Sequence, residues 1–197
     1  MPPTLGFCRC MRPGVLAFAL LAGAALADDY TPVTELMRSG QWTQAMARAQ
    51  QYLANKPRDP QMRFLKGLIQ QESGKQGEAI ATYTRLIEDY PELPEPYNNV
   101  AVLYAAQGQL ERARAALEMA TRTSKSYAIA HENLGDVYAR LANQSYLQAQ
   151  RLDAANTTAA PKLSMLRQLF ISTAPARTAA PPTDKALPPS PSASASR

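Results

Sequence analysis

Cysteine is nearly missing from this chain. Among 197 residues there are two, Cys8 and Cys10, both close to the start, which excludes a miniprotein stapled by disulfides. Histidine is scarcer still. His131 stands alone, so no second imidazole is present to build a His-based metal site with it. No apolar run approaches the ~20 residues that a membrane-spanning helix needs, and a multi-span membrane protein is excluded. Phosphate loops, nucleophile elbows and H-E-x-x-H stretches are absent as well. The excess of positive charge is small, 21 Lys and Arg against 16 Asp and Glu. With no stripe of basic and aromatic residues to concentrate it, nucleic-acid binding is not expected.

What is present is unevenly distributed. Arg9 and Arg12 precede an apolar stretch from Val15 to Ala25, and Ala25-Leu26-Ala27 is followed by Asp28-Asp29. A positive segment, an apolar segment and a small-x-small site in that order make a secretory leader. Residues 1–27 are therefore expected to be a signal peptide cleaved after Ala27, with Met11 an alternative start. Both cysteines lie upstream of the apolar stretch, so a lipid-anchor arrangement is absent. Cleavage removes both, and the mature chain suits an oxidising compartment. It also removes two arginines, leaving 19 basic and 16 acidic side chains. At the other end, residues 173–197 are dominated by Pro, Ala and Ser, with Leu187 the only bulky apolar residue after Ala174. Such a segment has too little apolar surface to offset its ordering entropy and reads as a disordered tail.

Between these ends the sequence repeats every 34 residues without insertion. Gly40, Gly74, Gly108 and Ala142 share one column, and Ala45, Ala79, Ala113 and Leu147 another. Gly67, Ala101 and Gly135 align, as do Tyr104 and Tyr138, and Pro57 and Pro91. Within one unit, Val100, Leu103, Tyr104 and Gln107 follow helical spacing. Small residues in two columns suit closely approaching helices. The Gly40 column suits a left-handed helix end, and the prolines close the helix that follows. Ile80, Leu86, Ile87, Leu103, Tyr104, Leu117, Leu134 and Tyr138 are the expected core. Trp42 is expected in the first turn, packing on the helix after it.

The stretch His131-Glu132-Asn133-Leu134-Gly135-Asp136-Val137-Tyr138, with Tyr97 and Val100-Ala101-x2-Tyr104 one unit earlier, resembles the tetratricopeptide repeat. The resemblance covers most of residues 30–160. It implies an all-α solenoid of helix-turn-helix units, about three to four repeats plus a C-terminal capping helix, together residues 28–172. The expected units are 28–59, 60–93, 94–127 and 128–160. A helix over 162–171 follows, with Leu163, Leu166, Leu169 and Phe170 as its apolar stripe. His131 falls where the family packs a Trp. Departures stand at Lys66 and Gln70, where Leu and Tyr are usual, and at Ala142, Leu147 and Arg151.

The resemblance also implies a concave groove lined by the first helix of each unit. Its expected lining is Gln61, Phe64, Leu68 and Gln71, then Glu95, Asn98, Val102 and Ala105, then Ile129, Glu132, Asp136 and Arg140. Asn99 and Asn133 share a column where the family often holds the backbone of an extended peptide. A helix–helix hydrogen bond is the other use of those amides. Phe64/Leu68, Asn98/Val102 and Glu132/Asp136 occupy the positions where one variety of the family places a cationic carboxylate clamp, so that clamp is absent. Glu132, Asp136 and Arg140 face one way at i, i+4, i+8, to receive a basic segment or to pair within the helix. Arg112, Arg114 and Arg122 read as a solvated face. The expected function is an exported adaptor or scaffold for a protein or extended-peptide partner. It would be periplasmic in a Gram-negative source, non-catalytic, and without cofactor, metal, nucleic acid or retained membrane span. The alternatives are an envelope hydrolase using Glu132 and Asp136, and a structural oligomer.

Overall fold

The computed structural model describes residues 30–172. The expected signal peptide and the expected tail lie outside the described residues. Within them there are eight helices and no strand. These are α1 (Thr31–Arg38), α2 (Trp42–Asn55), α3 (Pro60–Glu72), α4 (Gln76–Asp89), α5 (Pro94–Ala106), α6 (Leu110–Thr123), α7 (Ala128–Leu152) and α8 (Ala159–Ser172). Each packs on its neighbours in the chain, and α1 also touches α3 and α5 touches α7. This is the layout of a solenoid whose contacts are local.

The turns follow from the glycine column. Gly40, Gly74 and Gly108 have φ of 71°, 80° and 73°. At each, the next residue's amide reaches back over the turn: Gln41 to the Leu36 carbonyl, Lys75 to Gln70, and Gln109 to Tyr104, at 2.8–2.9 Å. The left-handed glycine makes this closure inexpensive and satisfies a carbonyl that the helix end would leave open. Pro57 and Pro91 lie two residues beyond the ends of α2 and α4. Pro60 and Pro94 open α3 and α5, where a missing N–H is harmless.

Packing uses the small-residue columns. Ala45, Ala79, Ala101 and Ala113 are fully buried. A Cβ on Gly67 would stand 2.4 Å from Cε1 of Tyr83, so the α3–α4 crossing depends on that glycine. Gly135 differs from its column: a Cβ there would meet nothing within 4 Å. Leu86, Leu103 and Leu117 are buried as expected, while Ile80, Ile87, Tyr104 and Leu134 pack at the core's edges. The core falls into two clusters, a first running from Val33 to Leu103 and a second from Tyr97 to Val137, and Trp42, which opens α2, packs against the first. Gln70, unusual for its column, is buried but satisfied. Its Nε2 donates to Glu78 (3.1 Å) and its Oε1 accepts from Thr82 (2.6 Å), tying α3 to α4.

Three expectations need correction. The fourth unit is not a helix-turn-helix, because Ala142 replaces the turn glycine and α7 continues for 25 residues. Tyr138 is not core but 47% exposed, its hydroxyl donating to Glu118 on α6. His131 is exposed rather than packed, with Nε2 3.2 Å from the Lys125 carbonyl. The cap does form: α8 packs on α7 and buries Ala159 and Leu163. The rest of its stripe is more open, with Leu166 half-buried and Leu169 44% exposed.

Candidate functional site

Helices α1, α3, α5 and α7 are the first members of their units, and the last three supply the residues of the expected groove. The structure divides those residues into two sets. Phe64 and Leu68 are 1% and 4% exposed and belong to the core. The Phe64 ring lies against Tyr83 with centroids 5.7 Å apart. A partner cannot reach them without opening the fold, so they are corrected from groove wall to core. Val102 and Asp136 are half-buried, and Glu132 and Arg140 are exposed. Gln61, Gln71, Glu95 and Ile129 are half-buried, and Ala105 is buried.

The asparagines form a chain through the interior. Asn133 Nδ2 donates to Asn98 Oδ1 at 2.8 Å, Asn98 Nδ2 to Asn99 Oδ1 at 3.1 Å, and Asn99 Nδ2 to the Tyr83 hydroxyl at 3.3 Å. All four residues are buried. Of the two uses left open for Asn99 and Asn133, the geometry is the helix–helix one, and Asn98 is corrected with them. Their amides join α4, α5 and α7. Burial raises the Tyr83 phenol well above the tyrosine range, partly opposed by the Asn99 contact. Buried amides of this kind stabilise only when every partner is kept.

The surface set is polar. Burial, then the Glu132 carboxylate, raises Asp136 above the ordinary aspartate range, and Arg140 pulls it part of the way back. Arg140 itself donates to the Ala105 carbonyl at 3.2 Å, near the end of α5, instead of closing an intrahelical pair with Asp136. The arginines of α6 are engaged locally. Arg114 lies between Glu111 (2.9 Å) and Glu118 (2.7 Å), and Arg112 stacks over the Tyr104 ring at 3.9 Å. Among the described residues no group of three metal-capable side chains occurs. No helix there is long and apolar enough to cross a membrane.

Two groups escaped the sequence reading. Asp59 caps α3, accepting from the Met62 amide at 2.7 Å, and also accepts the hydroxyls of Tyr30 (2.8 Å) and Tyr52 (3.2 Å). The Asp-Pro pair at 59–60 is the signal that could have found the cap. Tyr127 lies between α6 and α7, half-buried against both core clusters, and its phenol is raised by burial and by Glu95. Nothing in the 34-residue columns marks it.

Family profiles described as tetratricopeptide repeat match residues 30–94 and 82–115, and one described as TPR repeat matches 103–141. Among curated proteins, the probable biofilm formation methyltransferase WspC of Pseudomonas putida is 31% identical over 47% of this chain and 22% of its own length. The photosystem I assembly protein Ycf3 of Cyanophora paradoxa is 31% identical over 50% of this chain and 54% of its own. The chain thus spans about half of one relative and under a quarter of the other. Among solved structures, PcrH in complex with the chaperone binding region of PopD has a TM-score of 0.54 at 19% identity, over 63% of this chain and 98% of that one. That likeness is one of fold. With the three profiles jointly spanning residues 30–141, the chain belongs to the tetratricopeptide-repeat family.

Proposed function

We propose that this chain is an exported, non-catalytic adaptor that holds a protein or extended peptide against the α3–α5–α7 face. The observation that carries the reading is the surface set itself. Val102, Glu132, Asp136 and Arg140 project from successive first helices, on a scaffold whose buried asparagines are spent on joining helices. PcrH, of similar fold, was solved holding a segment of PopD, which supports the same use here. Export, to the periplasm in a Gram-negative source, rests on the leader-like pattern of residues 1–27.

Photo-crosslinking in intact cells tests this. A crosslinker at Val102 should trap a defined partner, and one at Ala115, exposed on α6, should not. Equal yields from both positions would overturn the groove assignment. Variants at Phe64, Asn99 or Asn133 are unsuitable, since all three are buried and their loss would damage the fold. An end-stacking oligomer is the second reading, favoured by exposed Leu152, Met165 and Leu169 at the C-terminal end. Sedimentation as a monomer at high concentration would remove it. A hydrolase using Glu132 and Asp136 has no comparable support on an open helix face.

A further inference from the structure

One aromatic surface differs between two units built on the same pattern. Tyr104 and Tyr138 share a column of the 34-residue period. On the earlier unit α6 folds back over α5, and Arg112 covers the ring of Tyr104 with its guanidinium 3.9 Å from the centroid. The same guanidinium donates to the Tyr104 hydroxyl at 2.7 Å. One period after Arg112 stands Tyr146, inside the uninterrupted α7. It lies eight residues from Tyr138 on one helix, a rise of about 12 Å, and cannot cover that ring. Tyr138 is left 47% exposed. Among the described residues, cations stack on Tyr52, Tyr90, Tyr104 and Tyr146, and Tyr138 is not one of these rings. Its hydroxyl donates to Glu118 at 3.1 Å, the carboxylate that also holds Arg114 at 2.7 Å. A phenol that donates to a carboxylate becomes a better acceptor in turn, and its ring face attracts a cation.

The chain beyond α8 is placed to supply the missing cation. Residues 153–158 join α7 to α8, the two helices pack on each other, and Lys162 stands 5.1 Å from the centre of the Tyr146 ring. So short a connection makes them antiparallel neighbours. Both helices rise by about 1.5 Å per residue. Ser172, ten residues after Lys162, therefore comes level with Asp136, ten residues before Tyr146 and two from Tyr138. The first basic residue after Ser172 is Arg177, five residues on, and the next is Lys185. Five residues reach about 17 Å, whereas the axes of packed helices stand only about 8–10 Å apart.

We propose that residues 173–177 fold back across the end of the solenoid and seat the Arg177 guanidinium on the Tyr138 ring. The arrangement repeats that of Arg112 on Tyr104, with a guanidinium N–H given to the phenol oxygen. Pro175 suits the path, since it cannot continue α8 and biases Ala174 toward an extended backbone. The start of the tail thereby supplies the cover that the absent second helix of the fourth unit does not.

Proton NMR of the isotope-labelled full chain tests this. The ring current of Tyr138 should move the Arg177 Hδ protons upfield of those of Arg197, and an NOE should join them to the Tyr138 ring protons. Tyr138→Leu should return them to the Arg197 position. Tyr138→Phe, which keeps the ring, should retain most of the shift. Tyr138 is exposed, so neither variant should alter the amide spectrum of α1 to α4, which separates a lost contact from a lost fold. Equal Hδ shifts for Arg177 and Arg197 in the wild type would overturn the proposal. A shift that survives Tyr138→Leu would overturn it too, by placing Arg177 on another surface. A shift that fades on dilution would give the Tyr138 ring to Arg177 of a second copy and overturn the contact within one chain.

Discussion

Gly67 and Gly135 occupy the same column of the repeat, yet alanine should act on them with opposite sign. Both lie inside helices, where Gly→Ala ordinarily gains about 1 kcal/mol by restricting the unfolded chain. At Gly135 the new Cβ meets nothing within 4 Å, so that gain should appear nearly intact. At Gly67 the Cβ would lie 2.4 Å from Cε1 and 2.8 Å from Cζ of Tyr83, well inside carbon–carbon contact. Tyr83 cannot step aside cheaply. It is fully buried, its ring packs on Phe64, and its hydroxyl accepts from Asn99. Forcing a methyl group into such a site costs roughly 1–3 kcal/mol, and loss of the Asn99 bond adds about 1 kcal/mol. Gly67→Ala should therefore be destabilised by about 1–3 kcal/mol net, and Gly135→Ala stabilised by up to about 1 kcal/mol. For a domain of this size that is a fall of roughly 2–12 °C against a rise of roughly 2–4 °C in Tm. Thermal melts followed by circular dichroism, with urea titrations for the free energies, measure both. If the two variants shift together in the stabilising direction, the close α3–α4 approach is wrong.

Asn98→Ala removes the acceptor for Asn133 and the donor to Asn99, so urea unfolding should show a loss of about 1–3 kcal/mol; wild-type stability would mean the asparagine chain contributes nothing. Asp136 has a folded-state pKa raised above its ordinary 3.8, so its contribution is fully present below that value and is lost as pH rises through the raised one. Asp136→Asn should accordingly be more stable than wild type at neutral pH, with the difference fading below about pH 4; a pH-independent difference would refute the raised pKa. Ala142→Gly restores the glycine of the turn column and should cost about 1 kcal/mol in the interior of α7. Amide exchange should then accelerate from Asn143 to Leu152 more than from Ala128 to Leu141, and a uniform change would count against a local break.

The period, the turns and the small-residue columns were legible because they obey local rules. A left-handed glycine closes each turn whatever surrounds it, and Ala45, Ala79 and Ala113 must be small wherever two helices touch. The groove was only partly legible. Position within a repeat tells which helix face a residue takes, but not how deeply the neighbouring unit covers it. The columns put Phe64 and Leu68 on an exposed wall, yet Tyr83 packs on Phe64 and both side chains belong to the first core cluster. The columns put Tyr138 in the core, yet it is exposed, because the fourth unit runs on as one helix and lacks the second helix that would cover it. The asparagine chain needed three dimensions. Asn98 and Asn133 are 35 residues apart and meet only through the packing of α5 on α7.

A single column thus decides where the solenoid ends. Gly108 turns the chain and lets α6 fold back on α5, whereas Ala142, one period later, lets α7 run on to Leu152. The last inter-helix surface must then be closed from outside the repeat, and α8 does so with Ala159 and Leu163. The asparagine chain runs along the α5–α7 joint immediately before that stop, and the Arg140–Ala105 bond crosses the same joint. Glu95, Tyr127, Glu132 and Asp136 all belong to α5, to α7 or to the residue that opens α7. These side chains are therefore carried at a joint that two cross-helix hydrogen bonds hold, Asn133 to Asn98 and Arg140 to the Ala105 carbonyl. A site held there keeps its geometry when empty and loses less entropy on binding than one spread over a loosely coupled pair of repeats.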